Sequence, residues 1–144
     1  MTKTDRALSS FRRGFSCSQA VAAAFAADFG LDEELLLRVS QPFGGGIARR
    51  ADWCGALTGA FIVAGLKHGR TKPEDEAARD RTYALVQELA NRFAARHGHL
   101  KCRDLLGCDI GTPAGQKLAD ELKLHRTKCE DYVRDAVALL EELL

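Results

Sequence analysis

Hairpin turns of the Asn-Gly or Asp-Gly kind are missing from this chain, and alternating runs of Val, Ile or Thr are scarce. Those absences argue against a sheet protein, because strands need a period-two pattern and tight turns to carry it. No uninterrupted apolar run approaches the roughly 18 residues that a membrane-spanning helix requires. The opening residues Met1-Thr2-Lys3-Thr4-Asp5-Arg6 run into charged sequence without the apolar stretch of a secretory leader. A soluble, cytoplasmic protein, not embedded in a membrane, is therefore expected. An excess of either charge is missing too: 21 Lys and Arg face 20 Asp and Glu, and the net charge of +1 sets up no field for DNA, RNA or an anionic membrane. Nucleic acid is not an expected partner. No Pro-rich or Ser-rich stretch offers a place to divide the chain, and 144 residues at 46% hydrophobic composition suffice for one core. A single helical domain over 1–144 is the expectation.

What is present is helical spacing of apolar residues almost throughout. The spacing predicts a helix from Ser16 to Phe29 stopped at Gly30, and a second over Asp32 to Val39 with Leu35, Leu36 and Val39 on its face. The most apolar helix runs from Asp52 to about His68, with Gly55, Ala56, Gly59 and Ala60 along one side, where another helix can come close. Thr71-Lys72-Pro73-Glu74 opens a long amphipathic helix with the stripe Tyr83, Val86, Leu89, Ala90 and Phe93, ending at Gly98. A short turn over Arg103 to Leu106 and a weak helix over Gln116 to Leu122 precede a last helix, Thr127 to Leu144. The predicted architecture is all-α, a bundle of about four main helices with short connecting ones.

Chemistry is concentrated in the 5 cysteines. A disulfide scaffold is a poor use of them in a reducing compartment, and an odd number leaves one unpaired. Core packing is the ordinary fate of a single free cysteine. Four of these, however, stand where helices are predicted to open. Ser16-Cys17-Ser18-Gln19 and Thr127-Lys128-Cys129-Glu130 fit the capping box, Asp52 precedes Cys54, and Cys102 follows the break His97-Gly98-His99. A helix start favours a thiolate by about 0.3–1 kcal/mol, and by up to about 2 when partly buried. Each of the four thiols is thus expected to titrate as much as about a unit below a free one. Their wide spacing rules out a zinc ribbon or ferredoxin loop, so any shared site is assembled by folding.

The segments Gly14-Phe15-Ser16-Cys17-Ser18-Gln19-Ala20-Val21, Phe43-Gly44-Gly45-Gly46 and Cys54-Gly55-Ala56-Leu57-Thr58-Gly59, followed by Cys102 and Cys129, resemble the C_GCAxxG_C_C family. The likeness spans nearly the whole chain in order. The family's name places Gly before Cys in the central element, whereas this chain has Cys54 before Gly55. The resemblance implies a small prokaryotic protein thought to be redox-active, often encoded beside transporter genes, with four characteristic cysteines that carry an iron-sulfur cluster or metal. Cys17, Cys54, Cys102 and Cys129 are accordingly the expected redox and metal-ligating residues, with Gly44, Gly45, Gly46 and Gly55 giving a cofactor close access to the backbone. A two-iron cluster is favoured over a four-iron one because the ligands come from separate helices; a structural zinc site or a cofactor-free dithiol pair are the alternatives. Electron transfer to an unidentified redox partner, or to a transporter-associated protein, is the expected output. Exposed apolar stripes suggest a homodimer.

Other residues weigh less. Cys108 lies outside the pattern: a spare thiol is the plainer reading, a replacement ligand or a resolving thiol the alternative. Arg49 and Arg50 beside the glycines suit either an anion or plain solvation. Trp53 is placed to shield a cluster or simply to pack. Among the 4 histidines, His97 and His99 adjoin Cys102 in sequence, while His68 and His97 also suit helix C-termini, where a cation is favoured; His125 completes the set. Nothing supports a hydrolytic triad or paired catalytic carboxylates.

Overall fold

Helix formation begins before the first cysteine. Thr2 caps α1 (Lys3–Arg12): its hydroxyl accepts from the Asp5 N–H at 3.0 Å while the Asp5 carboxylate accepts from the Thr2 N–H at 2.9 Å. This reciprocal pair is the capping box with Asp in place of Glu. The computed structural model describes residues 1–144 and is all-α. After α1 come α2 (Cys17–Ala23), a 3₁₀ turn (Ala26–Phe29), α3 (Glu33–Ser40), a second 3₁₀ turn (Gln41–Phe43) and the short α4 (Gly44–Ile47). Then follow α5 (Gly55–His68), α6 (Glu76–His97), α7 (Cys102–Leu106), α8 (Pro113–Glu121), a π-helical turn (His125–Cys129) and α9 (Glu130–Leu143). No helix is long and apolar enough to cross a membrane.

α5 is the centre of the bundle, with α2, α6 and α9 packed on it and α1 packed against α2 and α9. Its small residues make this possible. A Cβ at Gly59 would stand 2.7 Å from the Ser18 carbonyl oxygen and 3.0 Å from Ser18 Cα, so α2 and α5 meet backbone to backbone. Ala56, Leu57, Ala60, Val63 and Ala64 of α5 join Val21, Phe25, Leu89, Phe93, Val133 and Val137 in the main core.

Several predicted faces are revised. The helix predicted from Ser16 to Phe29 is two pieces, α2 and the 3₁₀ turn, ended by Gly30 in the left-handed conformation at φ 62°. Of the predicted α3 face only Leu36 is buried, joined by Ser40 at the helix end, whereas Leu35 and Val39 are about half exposed. On α6 Leu85 takes the buried position assigned to Tyr83, which is 60% exposed. The helix starts at Glu76 with Asp75 as its cap, later than Thr71-Lys72-Pro73-Glu74 suggested. α8 starts earlier than predicted, with Thr112 as cap and Pro113 in its first turn.

The turn 44–51 is the least ordinary backbone in the molecule. Gly45, Gly46, Ile47, Ala48 and Arg49 have φ of 66°, 67°, 69°, 51° and 65°, a left-handed turn five residues long. Left-handed winding costs an L-residue with a side chain about 1–2 kcal/mol. Hydrogen bonds offset part of this: the Ala48, Ala51 and Asp52 N–H groups donate to the Pro42, Gly45 and Gly46 carbonyls at 2.9, 3.1 and 2.9 Å. Gly46 is irreplaceable there, since its Cβ would lie 2.6 Å from the Asp52 nitrogen.

Candidate functional site: a four-cysteine cavity beneath an open cleft

Cys17 is the first residue of α2, whose cap Ser16 receives the Gln19 N–H at 3.3 Å while the Gln19 side chain accepts from the Ser16 N–H at 3.0 Å. This is the predicted box. Gly44 presses against that cap, where a Cβ would meet Ser16 Cβ at 2.6 Å. The Cys17 sulfur faces the N–H groups of Cys17, Ser18, Gly45 and Ala56, so two helix starts and the glycine turn share one thiol.

Cys54 and Cys102 are brought side by side by the backbone. The Cys54 N–H donates to the Leu100 carbonyl at 2.9 Å, the Cys102 N–H to the Asp52 carbonyl at 2.6 Å and the Arg103 N–H to Ala51 at 3.1 Å. Trp53 and Lys101 form the antiparallel bridge at its middle. Asp52 does not cap α5. Its carboxylate is engaged by Arg103 at 3.0 Å, and Cys54 itself occupies the cap position without a side-chain hydrogen bond. A Cβ at Gly55 would stand 3.2 Å from Cys17 Sγ and 3.1 Å from the Phe43 carbonyl oxygen. Positions 54 and 55 therefore both abut the cysteines, and only glycine fits at the second without displacing a sulfur.

Cys129 reaches the site by another route than the one predicted. Thr127 is not an N-cap, because the chain arrives already helical through the π turn and the Thr127 hydroxyl donates back to the Lys123 carbonyl at 3.1 Å. Lys128 Nζ and the Tyr132 hydroxyl both donate to the Leu105 carbonyl at 3.2 Å, which fastens α9 to α7 and sets Cys129 beside Cys102.

The result is a cavity of about 20 Å³ lined by Cys17, Cys54, Cys102 and Cys129, with Gly46, Gly55, Leu105, Leu106 and Tyr132 completing its wall. Each of the four sulfurs is close enough to the other three for their charges to interact. All five cysteines are free thiols. Cys108, outside the cavity, is near enough to Cys102 and Cys129 to be felt at both. As the side chains stand, no group of three or more His, Cys, Asp or Glu residues is disposed to hold a single metal ion.

The expected lowering of the thiol pKa values is overturned. Burial pushes all four up, Cys102 to about 12, and the proximity of the other thiols adds to the rise at Cys54, Cys102 and Cys129. The helix-start N–H groups oppose this at Cys17 and Cys54, but desolvation of a charged sulfur outweighs a terminal dipole. The Tyr132 hydroxyl on the cavity wall is raised to about 12, first by burial and then by the neighbouring thiols.

A second, larger space lies outside. An open cleft of about 890 Å³ has Cys17, Cys102 and Cys129 in its lining, but not Cys54. Gly44, Gly45 and Arg49 from the left-handed turn and Arg126 from the π turn are among its other residues. Trp53 does not shield the thiols: it is 36% exposed and packs on Phe61, with ring centroids 5.9 Å apart. His97 packs between Phe93 and Tyr132 and meets the Asp135 carboxylate. Sequence reasoning missed Tyr132, which it read only as part of an apolar stripe, and Arg126, which no motif marks.

No curated protein matches the chain, and no solved structure does. The C_GCAxxG_C_C family, described as "Putative redox-active protein", matches residues 15–143. With Cys17, Cys54, Cys102 and Cys129 gathered at one cavity, the chain belongs to the C_GCAxxG_C_C family.

Proposed function

We propose that this chain is an electron-transfer protein in which Cys17, Cys54, Cys102 and Cys129 hold an iron-sulfur cluster, of the two-iron kind. The observation that carries the reading is the single cavity on which all four motif sulfurs converge, three from helix starts and Cys129 from the end of the π turn. The donor set fits such a group. Four mutually repelling thiolates are untenable in a buried space without a cation; metal ions would supply that charge, displacing the thiol protons to solvent. The two-iron kind is preferred because the four ligands come from separate segments of chain. Bound there, a cluster supplies one-electron transfer at a potential set by burial and by hydrogen bonds to sulfur.

The chain's own residues perform the rest. The N–H groups of Ser18, Gly45 and Ala56 face the Cys17 sulfur and stabilise negative charge on it. Leu105, Leu106 and Tyr132 close the cavity against water, while Cys17, Cys102 and Cys129 border the cleft, the side on which electrons leave. A second reading, dithiol-disulfide exchange without a cofactor, is favoured by one observation: the fifth thiol, Cys108, stands near Cys102 and Cys129.

Anaerobic purification followed by iron, sulfide and zinc analysis tests the proposal. Brown protein with equal iron and sulfide is the expected result, lost on replacing any one of the four cysteines by Ala and kept in Cys108→Ala. A colourless preparation free of iron refutes it; zinc in its place returns the structural-metal alternative, and a loss of two thiols on mild oxidation the dithiol one.

A further inference from the structure

The cysteine cavity does not account for the outer cleft. At about 890 Å³ it has the size of a small-molecule site rather than of a crevice between packed side chains. Its lining mixes apolar, cationic, acidic and neutral polar groups, among them Gln19, Gln41, Gln116 and His125. Phe11, Phe15, Pro42, Leu106 and Ile110 are apolar, and Arg12, Arg49 and Arg126 are cationic. Arg12 is taken: its guanidinium donates to both Glu130 oxygens, at 2.8 and 3.2 Å. Arg49 and Arg126 form no ion pair; of the two carboxylates in the cleft, Glu130 is bonded to Arg12 and feels the charge of Arg126 from further off, and Asp120 is the other. The two arginines come from unrelated segments, one held in the left-handed turn and the other in the π turn. Both are irregular pieces of backbone, Arg49 lying between Cys17 and Cys54 in sequence and Arg126 between Cys102 and Cys129.

We propose that the cleft binds a small organic anion, an apolar body bearing a carboxylate or a phosphate, with Arg49 and Arg126 on its charge and Cys17, Cys102 and Cys129 beside it. A planar guanidinium pairs with either oxyanion through two parallel N–H donors, and the apolar side chains recognise the body. The inference goes beyond the cluster reading and does not depend on it, because every group it uses belongs to the cleft.

Isothermal titration of the full chain, purified without oxygen, with 2-naphthoate, 2-naphthyl phosphate and the neutral 2-naphthol tests it. At least one anion binds tenfold or more tightly than naphthol, and the tighter of the two identifies the head group. In the double variant Arg49→Gln/Arg126→Gln that preference falls at least tenfold while naphthol binding is unchanged. Both residues are exposed and unpaired, so the variant melts as the wild type does. Arg134→Gln, an exposed arginine outside the cleft, leaves binding as it was. Equal binding of all three probes, binding of none, or a double variant that keeps the preference overturns the proposal. Cys54→Ala separates this from the cluster reading, since Cys54 lines the cavity and not the cleft: the anion preference persists when the iron is gone, and a preference that disappears with the iron also overturns the cleft site.

Discussion

The cavity and the cleft share three cysteines and little else. The cavity is positioned by backbone: a methyl group at Gly46 would strike the Asp52 nitrogen, one at Gly55 would press on the Cys17 sulfur, and the bridge between 51–54 and 100–103 ties two of its thiols together. The cleft is bordered by exposed side chains, irregular turns and one surface ion pair. Close packing fixes position to within tenths of an ångström, whereas solvated groups adapt. The same sulfurs are therefore held rigidly on one side and offered to solvent-borne molecules on the other. Substitutions should separate the two regions by the size of their effects.

The harshest is Gly59→Leu, which forces α2 away from α5 at Ser18 and so carries Cys17 off the other three thiols. A loss of about 3 kcal/mol or more is expected. Chemical denaturation of the metal-free protein measures it, and a near-neutral result would mean that backbone contact does not define the cavity. Gly55→Ala comes next, at about 1–2 kcal/mol, because Phe43 and the Cys17 sulfur must yield. Its sharper sign is metal content: iron per chain falls even where the fold survives. Ala48→Gly goes the other way and stabilises by about 1 kcal/mol, since glycine tolerates φ 51° without penalty. An unchanged melting temperature there would remove the argument for stored strain in the turn.

The smallest effect belongs to the cleft rim. The Arg12 hydrogen bonds hold the Glu130 carboxyl below its ordinary pKa. A depressed carboxyl contributes stability that is present above its unfolded pKa and lost as pH falls through its folded one. Arg12→Gln should therefore leave thermal stability near neutral pH only slightly lower and flatten its decline in acid. Melts across the acidic range check this, and the pair is exposed enough that salt shrinks the difference.

How much of this was legible in the sequence depends on how far each interaction reaches along the chain. The Ser16 box, the Gly30 and Gly98 stops and the small-residue side of α5 are local, and they stand as predicted. The Thr2 box is equally local, spanning only Thr2 to Asp5. Thr127 carries the same letters as Ser16 and fails as a cap, because a cap needs extended backbone before it and Leu124 is already helical. Asp52 fails because a distant arginine, Arg103, claims its carboxylate. The meeting of Cys54 with Cys102 rests on hydrogen bonds between backbone atoms, which no residue type announces. Burial, too, is a property of the assembled fold, and for that reason the rise in thiol pKa ran against the sign that helix starts alone implied.

The turn at 45–49 winds in the sense natural to the mirror-image amino acids. A chain assembled by chemical ligation with D-alanine at position 48 would place that residue in its own relaxed conformation, where the encoded L-alanine is strained. Chirality, ordinarily a silent constant of the polypeptide, thus becomes a local variable beside these thiols.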